Sequence, residues 1–223
     1  MPPRLSLEDL RAFAVARSLF TPTTLAGAIG RLGFVQADPI RAPARAQDLT
    51  LRHRVKGYRA GDLERAYPDL DVEEDLFVNY GYLPRAHRAL MHPRVPRRPW
   101  SARTKKRAQA LLEFVRERGT VHPREVETRF PGGTVTNAWG GTSSANTHLL
   151  DDMHYRGLLR VARRDAGIRL YALGPSVSAD DSPPAQRADA LVDLAVGKYA
   201  PLPLASLRTL VARSGRGDLV LYC

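Results

Sequence analysis

Apolar residues recur every three or four positions through most of the first hundred residues, which is the spacing of helices that bury one face. This pattern predicts helices over residues 6–19, 22–32, 43–55, 59–67 and 84–91. Between the helices, residues 35–38 and 76–82 are rich in strand-forming side chains and predict two short β-strands. The N-terminal part of the chain is therefore predicted to be a helical module that carries a small β-element.

The middle of the chain has a different order of elements, with three helices followed by a pair of strands. The predicted helices cover residues 101–119, 121–130 and 142–156, and the strands cover residues 158–164 and 168–173. Three helices followed by a β-hairpin is the order of a winged helix–turn–helix module. After a polar linker, two further helices over residues 185–199 and 204–213 match the start of another such module.

These elements predict an α+β protein that is predominantly α-helical and built from tandem winged helix–turn–helix modules. The predicted domains are an N-terminal winged-helix-like module over residues 1–100, a second winged helix over residues 101–174 and a partial third over residues 183–223. The last five residues, 219–223, are apolar and have no predicted strand partner. We expect them either to join an existing sheet or to mark a chain shorter than its full architecture.

The predicted strand after the second helix places an amide and a carboxylate two residues apart in an apolar run. Side chains alternate along a strand, so Gln36 and Asp38 share one face with Phe34, while Val35 and Ala37 point to the core. A fixed carboxylate with an amide beside it can hold and polarise one water molecule. Gln36 and Asp38 are therefore candidate catalytic residues, although an aspartate before proline is also a common turn or cap residue.

The charge of the chain points to a polyanionic partner. Lysine and arginine number 34 against 23 acidic residues, which gives a formal net charge of +11 and a pI near 10.4. The cations concentrate between residues 84 and 129, whereas the acids concentrate between residues 62 and 75. This polarisation is expected of a protein with one face towards DNA, although general basicity in an arginine-rich proteome would also raise the pI.

Candidate DNA contacts fall on the third helix, on the cationic connector after residue 91, at the start of the helix near residue 142, and on the predicted wing. They are Arg45, Arg52, Arg54, His92, Arg94, Arg97, Arg98, Thr142, Ser143, Asn146, Arg160, Arg163, Arg164 and Arg169. The alternative is that Thr142 or Ser143 only caps a helix and the arginines form a solvated face. Winged helices also serve as protein-interaction modules, so the fold alone does not decide between these roles.

Other classes of chemistry find little support in the sequence. The single cysteine, Cys223, allows neither an internal disulfide nor a cysteine-based zinc site, and the histidines lack metal-ligand spacing. We find no glycine-rich phosphate loop and no catalytic serine or cysteine arrangement, and therefore expect no metal and no cofactor. With no signal-peptide pattern and no long apolar run, we expect a cytoplasmic, nucleoid-associated protein without membrane contact.

Five segments carry a recognisable combination of motifs. They are Phe34–Ile40, Ala44–Arg54, Leu90–Pro93, Val135–Gly141 and His154–Leu159. On these motifs, which span essentially the whole chain, the sequence resembles the YcaQ/AlkZ-like family of bacterial DNA glycosylases. The resemblance implies tandem winged helices that form a concave basic DNA surface, followed by a small β-barrel. It also implies a catalytic signature of Gln, an apolar residue, and Gln or Asp, which falls here on Gln36, Ala37 and Asp38 in the YcaQ-type form with Asp.

The chain departs from the family pattern at three points. Ala37 is smaller than the usual apolar residue of the signature, and no histidine lies near Gln47 or Asp48, where relatives commonly carry one. Family members also run well beyond 223 residues. We therefore expect the chain to end inside the third winged helix, without its recognition helix, its wing and the C-terminal barrel.

The resemblance implies a monofunctional DNA glycosylase that hydrolyses the N-glycosidic bond of alkylated purines and unhooks interstrand crosslinks in double-stranded DNA. Asp38 would polarise the attacking water and stabilise the cationic sugar, and Gln36 would orient that water. One alternative is a non-catalytic winged-helix DNA-binding protein, such as a regulator. A weaker alternative is a partner-binding module that uses the apolar C-terminus.

Overall fold

The computed structural model describes residues 5–94, 99–136, 142–174 and 182–213. The chain divides into two compact units, one of residues 1–91 together with residues 181–223, and one of residues 92–180. The C-terminal segment groups with the N-terminal one, and the predicted division into modules at residues 100 and 183 stays a prediction. No described helix has both the length and the apolar character needed to cross a membrane.

The helices of the described chain are α1 (Leu7–Ser18), α2 (Leu25–Leu32), α3 (Ala46–Arg52), α4 (Asp62–Ala66), α5 (Arg85–Met91), α6 (Ala102–Arg118), α7 (Pro123–Arg129), α8 (Ala145–Tyr155), α9 (Pro184–Tyr199) and α10 (Leu204–Arg213). The strands are β1 (Val35–Gln36), β2 (Val72–Leu76), β3 (Tyr80–Pro84), β4 (Thr120–Val121), β5 (Thr134–Thr136), β6 (Thr142–Ser144), β7 (Leu159–Asp165) and β8 (Ile168–Leu173). Mixed helices and small antiparallel sheets confirm the α+β class. The tandem winged-helix arrangement stays a prediction.

Local capping signals fix the first two helices of the N-terminal unit. Ser6 caps α1 through a reciprocal pair of hydrogen bonds with Asp9, and Gly33 ends α2 in the left-handed conformation with φ +70°. The second helix begins at Leu25 and not at residue 22, because Thr23 pairs with Val55 in an isolated bridge and leaves Thr24 as the cap.

The hydrophobic core of this unit contains residues from both its N-terminal and its C-terminal segment. Phe34 meets Phe77 edge-to-face with ring centroids 5.9 Å apart, and both pack in one cluster with Leu83 and Met91. Leu191 of α9, together with Ala195, completes the same cluster. The helix α9 therefore buries its apolar face on the N-terminal elements.

In the second unit, the strands form a sheet in the order β4-β8-β7 and the hairpin β5-β6 stands apart from it. The predicted hairpin is confirmed, since β7 pairs antiparallel with β8 and Asp165 lies opposite Ile168 across a tight turn. Residues 142–144 differ from the prediction. They form strand β6 and not the first turn of a helix, because Ser144 caps the helix and α8 begins at Ala145.

Candidate functional site

The strand β1 lies at one edge of the sheet β1-β3-β2 in the N-terminal unit. It pairs antiparallel with β3, so that Val35 lies opposite Tyr82 and Gln36 lies opposite Gly81. Gly81 has no side chain at the point of closest approach. A Cβ atom there would lie 2.3 Å from the Val35 carbonyl oxygen, so the tight contact between the strands requires glycine.

The side chains of β1 are buried at its start and exposed at its end. Val35 is buried as predicted, and Phe34 is buried as well, although it was predicted to share the outer face with Gln36. Both faces of the extended segment are therefore buried up to Val35, the residue before Gln36. The Gln36 side chain is exposed and makes no hydrogen bond to any other described residue. Its amide is available to a bound molecule.

Asp38 is half-buried and belongs to a local turn. Its Oδ1 atom accepts a hydrogen bond from the Ile40 amide at 2.8 Å, which is the turn role that an aspartate before proline commonly has. Its own amide donates to Oε1 of Gln47 at 3.1 Å. Within the described residues, Oδ2 accepts no hydrogen bond. The turn thus fixes the carboxylate and leaves one of its oxygens for a water or a substrate.

A pocket of about 380 Å³ lies beside α3, next in the chain after this turn. Its wall includes Arg45, which forms an ion pair with Glu64, and Asp48. Oδ1 of the buried Asp48 accepts hydrogen bonds from the Tyr58 hydroxyl at 2.8 Å and from the Gly61 amide at 3.0 Å. Burial, together with the Asp48 carboxylate, raises the pKa of Tyr58. These bonds hold the first turn of α3 in place beside the Gln36–Asp38 segment.

Lys198 of α9 is a functional candidate that the sequence analysis missed. Its Nζ atom donates to the carbonyl oxygen of Phe34, two residues before Gln36, at 2.5 Å. Burial, together with the positive charges of Arg17 and Arg54, lowers the pKa of Lys198 to about 8. No sequence signal near residue 198 indicates this contact, because 164 positions separate the two residues.

The lowered pKa of Lys198 predicts a pH-dependent difference in stability. In the unfolded chain this lysine keeps a proton up to about pH 10.4, so between pH 8 and that value the unfolded state binds more protons than the folded one. The penalty of burying the charge is therefore full below pH 8 and falls as the pH rises. Relative to Lys198→Met, the wild type should gain about 1–2 kcal/mol of unfolding free energy between pH 7.5 and 9.5. Urea denaturation at both pH values measures this, and equal gains in the two proteins would contradict it.

Two of the three arginines predicted to contact DNA near α3 are engaged within the unit. Arg45 is half-buried in its ion pair with Glu64. Arg54 is half-buried and donates to the carbonyl oxygens of Ser18 at 2.7 Å and Thr50 at 2.6 Å, so it ties the end of α1 to α3. Arg52 is exposed and stays a candidate DNA contact.

The candidate DNA contacts on the connector after residue 91 differ in burial and in their contacts. His92, a candidate DNA contact, is buried with 4% of its surface accessible, next to Gly157 of the same unit. This burial disfavours a direct contact between the His92 imidazole and a DNA phosphate. The Arg94 guanidinium stacks over the Tyr155 ring at 4.6 Å. Arg97 and Arg98 lie outside the described residues.

Asn146 is also placed differently from the prediction. It is buried, and its Oδ1 atom accepts from Arg107 at 2.7 Å. Its Nδ2 atom donates to Glu127 and to the Phe130 carbonyl oxygen, at 2.8 and 2.7 Å. All of its polar atoms are therefore used inside the second unit, where they join α6, α7 and α8, and none is left for DNA.

Exposed candidates remain in the second unit. Thr142 is exposed, and half-buried Ser143 shares a hydrogen bond of 2.8 Å between its hydroxyl and Nε2 of His148. On the hairpin β7-β8, Arg163 is exposed, whereas Arg169 is held by Asp151 at 2.8 Å. Two further hairpin residues are half-buried, Arg160 and Arg164.

Comparisons with known proteins agree on one family. The model of a family described as DNA glycosylase AlkZ-like matches residues 29–217. Among solved structures, the chain is similar to Streptomyces sahachiroi DNA glycosylase AlkZ, with a TM-score of 0.56 and 16% sequence identity. The similarity covers 96% of this chain and 66% of that chain. A comparison with curated proteins gives no match.

Proposed function

Because the chain belongs to the AlkZ-like DNA glycosylase family, we propose that it hydrolyses the N-glycosidic bond of a damaged base in double-stranded DNA. The observation that carries this proposal is the geometry at β1. Gln36 presents a side-chain amide without a partner among the described residues, and two residues later Asp38 holds a carboxylate oxygen without a donor there. An amide and a carboxylate fixed on one short segment can orient and activate a single attacking water.

Asp38 is the proposed catalytic acid–base residue. Its Oδ2 atom would accept a proton from the water as that water attacks the C1′ carbon of the sugar. The bond between C1′ and the base nitrogen then breaks, and its electron pair leaves with the base. The negative charge of Asp38 also stabilises the positive charge that develops on the sugar ring. The turn that holds Oδ1 on the Ile40 amide keeps this carboxylate oriented before the substrate arrives.

Gln36 is the proposed orienting residue for the same water. A side-chain amide both donates and accepts hydrogen bonds, so it can direct one lone pair of the water towards the sugar carbon. It does not change charge, and its expected contribution is correspondingly smaller than that of Asp38. Loss of one such hydrogen bond should lower the excision rate about tenfold.

Alkylated purines are the proposed substrates, with crosslinked purines as a larger variant of the same chemistry. Alkylation at N7 or N3 gives the base a positive charge, so it leaves with little assistance and a single carboxylate can suffice. The exposed position of Gln36 on an edge strand supports an open site. Such a site would admit a bulky crosslinked lesion that a closed base-flipping pocket would exclude.

We propose that exposed candidate residues in each of the two units contact DNA. They are Arg52 in the first unit, and Thr142 and Arg163 in the second. Exposed arginines form salt-dependent contacts with phosphates, which position DNA without reading its sequence. Arg94, Ser143, Arg160, Arg164 and Arg169 are proposed as secondary contacts, since each is partly buried or already paired.

Incubation with a duplex that carries a single N7-methylguanine tests the proposed function. We expect release of the free base and an abasic site, which alkali then converts to a strand break. The same duplex with guanine at that position is the control and should release nothing. Binding to both duplexes with no base released from either would instead support a non-catalytic DNA-binding protein.

A further inference from the structure

Lys198 reaches the backbone in front of the proposed catalytic pair. It is the second-last residue of α9, and its Nζ atom donates to the carbonyl oxygens of Phe34 at 2.5 Å and Leu32 at 3.4 Å. The ammonium group also lies 5.7 Å from the centroid of the Phe34 ring. One side chain from the far end of the sequence thus holds the segment that enters β1.

The hydrogen bonds of β1 explain why this contact matters. In an antiparallel pair, alternate residues turn their backbone groups towards the partner strand and away from it. The Ala37 amide donates to the Tyr80 carbonyl oxygen on β3 at 2.9 Å. The backbone groups of Phe34, Gln36 and Asp38 therefore face away from β3, along the free edge of the sheet.

Two side chains bind that free edge on either side of Gln36. Lys198 binds the carbonyl oxygen of Phe34, and Oε1 of Gln47 accepts the hydrogen bond from the Asp38 amide at 3.1 Å. The strand itself has only two residues and pairs with one neighbour. On its free edge, the backbone of such a strand depends on side chains such as these for its hydrogen bonds.

We propose that Lys198 is a positioning residue that, with Gln47, fixes the free edge of β1 so that Gln36 and Asp38 keep their spacing and direction. This inference rests on the proposed function of that pair. A lysine suits the task because its three N–H donors can bind two carbonyl oxygens at once. A displacement of about 1 Å at a catalytic group is enough to reduce a rate about 100-fold.

The electrostatic surroundings support a functional reason for this lysine. Arg17 of α1 and Arg54 after α3 both act on its charge, and Tyr199 lies beside it with the ammonium 5.5 Å from the ring. Burying a cation near two others costs stability. A methionine of similar length would pack there without that cost, so the retained charge and donors point to a role in the site.

The test compares Lys198→Met with Lys198→Arg, and uses Lys56→Met as the matched loss of an exposed lysine in the same unit. Each protein is assayed for single-turnover release of N7-methylguanine and for DNA affinity. For Lys198→Met we expect an excision rate about 10- to 100-fold lower with an unchanged Kd. Lys198→Arg should recover most of the rate, because it restores the donors, and Lys56→Met should match the wild type.

Hydrogen–deuterium exchange provides a readout that does not depend on catalysis. In Lys198→Met, deuterium uptake should rise in peptides that cover residues 33–40 and stay unchanged in the second unit. Unchanged uptake over residues 33–40, or a wild-type excision rate in Lys198→Met, would overturn the positioning role. So would a lost rate that Lys198→Arg fails to restore. Failure of the wild type to release any base would contradict the proposed function alone, while the exchange result would still decide the role of Lys198.

Discussion

Replacing Asp38 with asparagine should reduce the rate of base excision at least about 100-fold without weakening DNA binding. Asparagine keeps the side-chain oxygen that accepts from the Ile40 amide, so the turn should persist. It removes the negative charge that accepts the proton of the attacking water and stabilises the cationic sugar. DNA affinity should stay the same or rise slightly, because one charge that repels phosphate is lost.

The matched control for this substitution is Asp69→Asn. Asp69 is an exposed aspartate of the same unit, outside β1 and the turn that follows it. It reports the effect of removing one surface carboxylate. Fluorescence anisotropy gives the affinity of each variant, and thermal unfolding shows whether either has lost stability. If Asp38→Asn and Asp69→Asn excised the base at the same rate, Asp38 would have no catalytic role.

Replacing Gly81 with alanine should disrupt the site from the opposite strand. The new Cβ atom would lie 2.3 Å from the Val35 carbonyl oxygen and 2.6 Å from Cζ of Phe34. A backbone oxygen cannot move aside alone, so β1 must separate from β3 at the position opposite Gln36. We expect a loss of about 2–3 kcal/mol in unfolding free energy and a fall in excision rate of about 100-fold.

Gly30→Ala is the control for the loss of a glycine in the same unit. A methyl group at Gly30, inside α2, would meet no atom within 4 Å. This variant should gain about 0.5–1 kcal/mol, since alanine is the better helix former. Thermal unfolding and single-turnover excision measure both variants. Equal stability and equal rates for Gly81→Ala and Gly30→Ala would show that the two strands do not need their close approach.

Features set by neighbouring residues could be predicted from the sequence. Ser6 and Gly33 begin and end helices where their capping preferences indicate, and the turn before Ile168 joins β7 to β8 as predicted. These features depend on contacts within a few residues of one another, so the local pattern contains their cause. The position of Gln36 on a short strand was predictable for the same reason, whereas the strand was predicted to reach Asp38 and Asp38 lies in the turn that follows it.

Features set by distant contacts could not be predicted in this way. His92 and Asn146 are polar residues in a basic part of the chain, and their sequence context indicates exposure. The fold buries both of them. Lys198 looks like any lysine near the end of a helix until α9 packs on the core that contains Phe34. In each case the deciding contact joins residues that the sequence pattern treats as independent.

The proposed mechanism requires that Gln36 and Asp38 act on one water molecule. Single-turnover release of N7-methylguanine by the wild type, Gln36→Ala, Asp38→Asn and the double variant measures whether they do. Residues that act on the same water are not additive, so the double variant should be about as slow as Asp38→Asn alone. Rates at the wild-type level in Asp38→Asn, or a double variant slowed by the full product of the two single losses, would contradict the claim.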